Sequence, residues 1–115
     1  MTKITLMHNP RCSKSRQALA LLEEKGAPVA IRRYLDEPLS DAELRALIER
    51  LEGGVERLVR TKESEWQKLA ADARDPEQVV QAIMAHPRLM ERPIADDGKR
   101  AIIGRPPEDI LALLD

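Results

Sequence analysis

The sequence predicts an α/β fold in which helices flank a mixed, four-stranded sheet. Residues 1–35 alternate between an apolar run, a helical pattern and a second apolar run, which is the order of a βαβ unit. Two further apolar runs near the carboxyl terminus flank Asp96-Asp97-Gly98-Lys99, a strong hairpin signal. The segment between these two halves has apolar residues at helical spacing, so a helical insertion is predicted there.

The βαβ unit is predicted from three consecutive patterns. Lys3–Met7 is a short apolar stretch that ends before Asn9-Pro10, so it predicts the first strand. The stretch 15–25 combines apolar with charged residues and predicts a helix, and Gly26 is a good residue to end it. Val29–Tyr34 then predicts a second strand, which in a βαβ unit usually runs parallel to the first.

The insertion begins with a well-marked helix. Ser40 and Glu43 form a capping-box pattern, and Gly53-Gly54 ends the helical stretch. Its apolar residues recur at i, i+3, i+4 and i+7, at Leu44, Leu47, Ile48 and Leu51. The spacing therefore predicts a helix with one apolar face.

The rest of the insertion is predicted as shorter helical pieces. The segments 55–62 and 64–71 lie on either side of a polar turn. A further helix begins at Asp75-Pro76, where Asp is the N-cap and Pro takes the first helical position. This helix is expected to stop near His86-Pro87.

The last third is predicted as a hairpin followed by a helix. Ile94 begins a short strand after Arg92-Pro93, and Ala101–Ile103 forms the returning strand. Gly104–Pro107 then introduces a final helix with the apolar residues Ile110, Leu111, Leu113 and Leu114. The complete order, β-α-β, a helical insertion and β-β-α, is that of a thioredoxin-like fold with helices inserted in the middle. We expect it to form a single domain over residues 1–115.

The composition limits the classes of function. The formal net charge of −1 argues against binding to nucleic acid by bulk charge. No apolar stretch approaches the length of a membrane span, and the first ten residues contain no long apolar region. The chain has one cysteine, so it cannot form an internal disulfide. We therefore expect a cytoplasmic protein with neither a membrane nor a nucleic-acid partner.

That single cysteine, Cys12, lies in His-Asn-Pro-Arg-Cys-Ser-Lys-Ser-Arg at 8–16. The segment joins the first strand to the first helix, where backbone N–H groups and the helix dipole favour an anion. Arg11, Lys14 and Arg16 add positive charge. A thiol in this setting should have a lowered pKa and react as the thiolate. A buried structural cysteine is the alternative.

Three familiar cysteine motifs do not fit the segment. The position that would complete a C-x-x-C dithiol is Ser15, and the arginine of a C-x5-R phosphatase loop is replaced by Ala18. A zinc site lacks ligands, because the chain has only two histidines beside its one cysteine. Of those, His8 either caps the loop or lowers the pKa of the thiol, as an imidazolium or through a hydrogen bond.

Three arginines stand out as candidate anion ligands. Arg60 ends an apolar run, while Arg92 and Arg105 each directly precede a proline, which restricts their backbone. Guanidinium groups suit tetrahedral oxyanions because their planar fork makes paired charge-assisted hydrogen bonds. Because the chain has 19 basic residues, each arginine taken singly is better interpreted as a solvated charge or part of a structural salt bridge, and sequence spacing alone cannot bring the three to Cys12. In a thioredoxin-like sheet the loop before the third strand, often with a cis proline, lies beside the thiol, so Pro93 would bring Arg92 there.

Four segments of the chain together resemble the glutaredoxin-coupled arsenate reductases of the thioredoxin superfamily, the ArsC family. They are the segment at 8–16, Leu-Val-Arg-Thr-Lys-Glu at 58–63, His-Pro-Arg-Leu-Met-Glu-Arg-Pro-Ile at 86–94 and Ile-Gly-Arg-Pro-Pro-Glu at 103–108. They occur in order and at appropriate separations over nearly the whole chain.

The resemblance implies a reaction without a bound cofactor or metal. The Cys12 thiolate would attack arsenate, glutathione as co-substrate would displace the adduct, and glutaredoxin would resolve the mixed disulfide as arsenite leaves. By position, His8 would help to keep Cys12 ionised, and Ser15 would hydrogen-bond the thiolate. A further set of residues, the oxyanion ligands, would be Arg60, Arg92 and Arg105. We expect the protein to act on arsenate or a similar oxyanion as a monomer.

Two other functions are compatible with a thioredoxin-like chain that has one cysteine. A monothiol glutaredoxin-like oxidoreductase would reduce glutathione mixed disulfides and would need no oxyanion site. A transcription regulator that binds RNA polymerase would share the fold, but such regulators usually have a redox C-x-x-C, which Ser15 removes here.

Overall fold

The structure, a computed structural model, describes residues 3–114. Its strands, in chain order, are β1 (Ile4–Met7), β2 (Val29–Arg32), β3 (Ile94–Asp96) and β4 (Ala101–Ile103). The α-helices are α1 (Ser13–Glu24), α2 (Asp41–Arg50), α3 (Ser64–Leu69) and α4 (Pro76–Ala85), and short 3-10 helices occupy Val55–Arg57, Pro87–Leu89 and Pro107–Leu114.

The four strands form one mixed sheet in the order β2-β1-β3-β4. β1 pairs in parallel with β2, so that Leu6 lies opposite Ile31, which confirms the predicted βαβ unit. β3 and β4 pair antiparallel, as the hairpin signal predicted, and β3 also runs antiparallel to β1. The predicted sheet is therefore correct in strand number and in its mixed character.

Side chains alternate between the two faces of the sheet, and each face is covered by different helices. Ile4 and Leu6 of β1 pack with Leu22 of α1 and with Ile110 of the terminal 3-10 helix. Met7 lies in the other cluster, with the apolar residues of α2, α4 and the loops around them. Because the period of a strand is two residues, β1 supplies both cores while buried at the centre of the sheet.

The predicted helix starts agree with the observed caps. Ser40 accepts a hydrogen bond from the N–H of Glu43, whose carboxylate accepts in return from the Ser40 N–H, which completes the capping box. The carboxylate of Asp75 accepts from the N–H of Glu77, with Pro76 in the first helical turn.

Two predicted segments differ from the structure. In the predicted helical piece 55–62 only Val55–Arg57 is helical. The N–H of Arg60 donates to the Leu89 carbonyl and the N–H of Glu91 donates to the Leu58 carbonyl, both at 2.7 Å, so the end of this piece is extended and pairs with the chain before β3. A helical period cannot detect a pairing with residues so distant in sequence.

The final helix is the second difference, since it is a 3-10 helix over Pro107–Leu114. Its first hydrogen bond joins the Asp109 N–H to the Pro106 carbonyl at 3.0 Å, which is the 3-10 spacing. Ile110 is nevertheless fully buried, as the apolar pattern predicted. None of the helices within residues 3–114 is long and apolar enough to cross a membrane.

Candidate active site

Cys12 is the N-cap residue of α1 and lies at the carboxyl-terminal end of β1, next to the turn that joins them. Its N–H donates to the Asn9 carbonyl at 2.9 Å, and its carbonyl accepts from Arg16 at the start of the helix. The residue is partly exposed, and it is the free cysteine of the chain. The strand-to-helix placement predicted from the sequence is therefore correct.

The surroundings of Cys12 lower the pKa of its thiol. Burial acts in the opposite direction and is the largest single influence, because a charged sulfur is poorly solvated there. The backbone N–H groups of Ser15 and Lys14 at the start of α1 and the charges of Arg92 and Arg105 stabilise the thiolate. Together these four outweigh burial, which is the arrangement expected of a reactive cysteine.

Arg105 makes the direct side-chain contact with the thiol. Its Nη2 donates to the Cys12 Sγ at 3.7 Å, and its Nε donates to the Arg92 carbonyl at 2.9 Å. Two predicted anion ligands therefore lie beside the predicted nucleophile, although Arg105 is separated from Cys12 by 93 residues in sequence.

The two loops that hold Arg92 and Arg105 are packed tightly against each other. Both the Arg92–Pro93 and Arg105–Pro106 peptide bonds are cis. The N–H of Gly104 donates to the Pro93 carbonyl at 2.9 Å. A Cβ atom at Gly104 would lie 2.9 Å from the Pro93 side chain, so only glycine permits this approach.

A polar cavity of about 370 Å³ opens between these two loops and the segment 59–63. Arg60, Arg92 and Arg105 all line it, together with Glu63 and Glu91. Cys12 does not line this cavity itself, but Arg105 connects the cavity to the sulfur. The Arg92 Nε is buried and has no hydrogen-bond partner among residues 3–114, which leaves this guanidinium with unused capacity to donate.

Arg60 reaches the cavity through the extended pairing described above. Its Nη1 donates to the Arg88 carbonyl at 3.1 Å, and its Nη2 forms an ion pair with Glu63. Glu63 also lies 3.5 Å from Arg88. Arg60 therefore lines the cavity as part of an ion-pair network. Within residues 3–114 it makes no hydrogen bond to the thiol, unlike Arg105.

His8 and Ser15 contact each other. The Nδ1 of His8 lies 2.7 Å from the Ser15 hydroxyl oxygen, which also accepts from the Asn9 N–H at 3.0 Å. Burial lowers the pKa of His8, and the charges of Arg33 and Arg16 lower it further. The histidine is therefore neutral near pH 7, and the structure favours a loop-holding role over an imidazolium beside the thiol. The Ser15 hydroxyl is bonded to His8 and Asn9 rather than to the sulfur, the partner predicted for Ser15, and it is the backbone N–H of Ser15 that lowers the pKa of the thiol.

Two residues of the site were not predicted from the sequence. Tyr34 is buried just after β2, and burial raises its pKa to about 12, with Arg92 and Cys12 among the charges that act on it. The phenol therefore remains protonated beside the thiol. The available signal was composition, since Tyr34 is the only tyrosine and the chain has no phenylalanine. Glu91 had no such signal, because it is one of 20 acidic residues.

No cluster of three or more His, Cys, Asp or Glu residues within 3–114 is arranged to hold a metal ion. The groups that surround the thiol are guanidinium side chains and backbone N–H donors. Together, the sheet order, the thiol at the end of β1 and the loop before β3 define a thioredoxin-like protein with a single-cysteine site.

Comparison with known proteins identifies the family. The ArsC family matches residues 7–113. The arsenate reductase of Haemophilus influenzae is 42% identical over 114 residues, which cover 96% of this chain and 98% of that protein. The solved arsenate reductase from Vibrio cholerae has a TM-score of 0.88 and 36% identity, covering 96% of this chain and 97% of that chain. The chain belongs to the ArsC family, as the resemblance of its motifs predicted.

A relative of a different kind is the global transcriptional regulator Spx of Listeria innocua. It is 33% identical, and the match covers 96% of this chain and 86% of that protein. Family membership alone therefore does not separate a reductase from a regulator, and the chemistry of the site has to be considered.

Proposed function

We propose that this protein is an arsenate reductase in which the Cys12 thiolate attacks the oxyanion and glutathione and glutaredoxin supply the electrons. The observation that carries the proposal is the 3.7 Å contact between Arg105 Nη2 and Cys12 Sγ. It joins a thiol of lowered pKa to a cavity that is lined by Arg60, Arg92 and Arg105. The names of the relatives from Haemophilus influenzae and Vibrio cholerae support the choice of arsenate.

The first step is nucleophilic substitution at arsenic. The Cys12 sulfur forms a bond to As(V), and one oxygen leaves as water after it takes up protons, so arsenic is not yet reduced. Arg92 and Arg105 hold the oxygens that remain and offset the charge that develops on them. The same two guanidinium groups lower the pKa of the nucleophile, so they favour both the attacking group and the bound oxyanion.

The second step reduces arsenic. The glutathione thiol attacks the adduct, the sulfur–arsenic bond breaks, and arsenite leaves with both bonding electrons. As(V) gains two electrons and becomes As(III), while the two sulfurs lose one electron each and form a Cys12–glutathione disulfide. Glutaredoxin then attacks this mixed disulfide and returns Cys12 to the thiolate.

An external reductant is required because of the cysteine count. Cys12 has no second cysteine in the chain to resolve a disulfide. The position that would hold one, Ser15, instead supports the loop through His8 and Asn9. We propose that the protein works as a monomer in the cytoplasm, where glutathione and glutaredoxin keep thiols reduced.

His8 and Ser15 are proposed as positioning residues. The hydrogen bond between them fixes the turn that directs the N–H groups of Ser15 and Lys14 to the sulfur. His8 therefore supports ionisation of Cys12 through the loop rather than through its own charge.

A coupled assay tests the proposal. Arsenate-dependent oxidation of NADPH is followed with glutathione, glutaredoxin and glutathione reductase, and each thiol component is omitted in turn. We expect turnover in the complete mixture, none with Cys12→Ser, and a large loss with Arg92→Ala. Arg74→Ala is the matched control, because its side chain is 82% exposed, and it should behave as wild type.

The assay also separates the alternatives. Turnover that survives Cys12→Ser would overturn the mechanism. Reduction of a glutathionylated peptide without any arsenate-dependent turnover would instead indicate a monothiol oxidoreductase. Stable binding to RNA polymerase without either activity would indicate a regulator of the Spx type.

A further inference from the structure

Glu91 places a carboxylate inside the polar cavity that Arg60, Arg92 and Arg105 line, here called the arginine cavity. A carboxylate is unexpected in a site for anions. Its Oε1 lies 3.1 Å from the Arg92 Nη1 and 3.3 Å from the Arg105 Nε. It also accepts from the Arg92 N–H at 3.2 Å. Glu91 thus contacts both of the arginines that act on Cys12.

The contact with Arg105 involves the same edge of the guanidinium that faces the thiol. Nε donates to the Arg92 carbonyl and lies 3.3 Å from Glu91, whereas Nη2 lies next to the Cys12 sulfur. These two nitrogens form the side-on fork of the guanidinium. An oxyanion that accepts from Nη2 on this edge and is attacked by Cys12 must therefore lie beside the carboxylate of Glu91.

The second carboxylate oxygen of Glu91 is available for such a contact. Within residues 3–114, the hydrogen bonds of this side chain with Arg92 and its ion pair with Arg105 all use Oε1. The side chain is 22% exposed and lines the cavity. A carboxylate accepts hydrogen bonds and cannot donate them, so Oε2 is favourable for a ligand oxygen that has a proton and repulsive for one that does not.

We propose that Glu91 is a specificity-determining residue that selects tetrahedral oxyanions retaining a proton. Arsenate and phosphate keep at least one hydroxyl near neutral pH, which can donate to Glu91, whereas sulfate has no proton to donate. Bound sulfate would then place its own negative charge and that of Glu91 side by side on one edge of the Arg105 guanidinium, with no hydrogen bond between them. Sites that require a ligand hydroxyl discriminate strongly against analogues without one. This inference rests on the proposed function, because it takes the arginine cavity as the oxyanion site.

The test measures how well phosphate and sulfate protect Cys12 from alkylation by iodoacetamide at constant ionic strength. Phosphate and sulfate are used because neither requires the reductants, and each protected rate is compared with the unprotected rate of the same variant. In the wild type, phosphate should protect at a concentration at least about tenfold below that of sulfate. In Glu91→Gln the side-chain amide can donate to sulfate, so this ratio should fall by about tenfold or more.

Glu63→Gln is the matched control. It removes a carboxylate of the same cavity that pairs with Arg60 and not with the fork of Arg105. It should strengthen protection by both anions to a similar extent and leave their ratio unchanged. A residue that only positioned Arg105 would likewise affect both anions alike, so the ratio is the reading that distinguishes selection from positioning.

Equal protection by phosphate and sulfate in the wild type, or the same ratio in Glu91→Gln, would overturn the inference. If the ratio is unchanged while the wild type reduces arsenate in the coupled assay, the inference fails and the proposed function stands. If the ratio depends on Glu91 but arsenate is not turned over, Glu91 selects protonated oxyanions in a protein with a different activity.

Discussion

Replacing Arg105 with alanine should raise the pKa of the Cys12 thiol. Arg105 is the one side chain among residues 3–114 that hydrogen-bonds the sulfur, with its Nη2 at 3.7 Å. Its charge also lowers the thiol pKa. Alanine removes the hydrogen bond and the charge together, so the thiol should be less ionised at neutral pH.

The size of the effect follows from the distance and the exposure. Two unit charges 3.7 Å apart attract by about 1 kcal/mol in water and about 4 kcal/mol at the effective dielectric constant of a protein surface. The side chain of Arg105 is 35% exposed and lies 3.3 Å from Glu91, and both features weaken its field at the sulfur. We therefore expect the lower limit, about 1 kcal/mol, which corresponds to about fivefold less thiolate below the pKa.

The rate of Cys12 alkylation by iodoacetamide as a function of pH measures this change. Near pH 7, Arg105→Ala should react about fivefold more slowly than the wild type, and the two rates should converge at high pH, where both thiols are ionised. Arg105→Lys, which keeps a charge, should show a smaller effect, and the exposed Arg74→Ala should show none. If Arg105→Ala and Arg74→Ala have the same profile, Arg105 does not stabilise the thiolate.

Two further predictions concern stability. The pKa of His8 is below its usual 6.5 in the folded state, so the stability gained by keeping this histidine neutral is present above about pH 6.5 and is lost as the pH falls through the folded pKa. Urea unfolding at about pH 7.5 and about pH 5.5 should therefore show a smaller loss of unfolding free energy at the lower pH for His8→Gln than for the wild type. An identical loss in the two proteins would contradict this. Asp96→Asn removes the charge that pairs with Arg50, and it should lower the free energy of unfolding by about 2 kcal/mol. The effect is smaller than for a fully buried ion pair because the Arg50 side chain is 28% exposed, although that of Asp96 is only 7% exposed. The exposed Asp41→Asn is the control, and equal urea-unfolding midpoints for the two variants would show that the Arg50–Asp96 ion pair does not stabilise the fold.

Much of the fold could be predicted from local patterns, because those patterns have local causes. The capping box at Ser40 and Glu43 and the N-cap at Asp75 are satisfied within one helical turn. The hairpin after Asp96 is likewise fixed by its turn residues. The segment after Val55 was predicted incorrectly, because its extended part pairs with the chain around Met90, and no local pattern encodes that partner.

The site shows the same division. The position of Cys12 at the N-terminus of α1 follows from the sequence around it. That Arg105 lies at the sulfur, however, depends on the approach of Gly104 to Pro93. The partner of the Ser15 hydroxyl, His8 Nδ1, could also be identified only from the tertiary structure, because the loop has several donors and acceptors at similar separations in sequence.

The sequence by itself determined that the chain has one thiol and that this thiol lies at a helix N-terminus, whereas the tertiary structure determined which charges surround it. The chain has one cysteine, at a helix N-terminus. Any disulfide of Cys12 must therefore be with another molecule, and this follows from composition and local structure alone. Which of the 19 basic residues face that thiol is settled only when β1, β3 and β4 assemble. Only the same assembly places Glu91 between Arg92 and Arg105, since charges act through distance in space and not through separation along the chain.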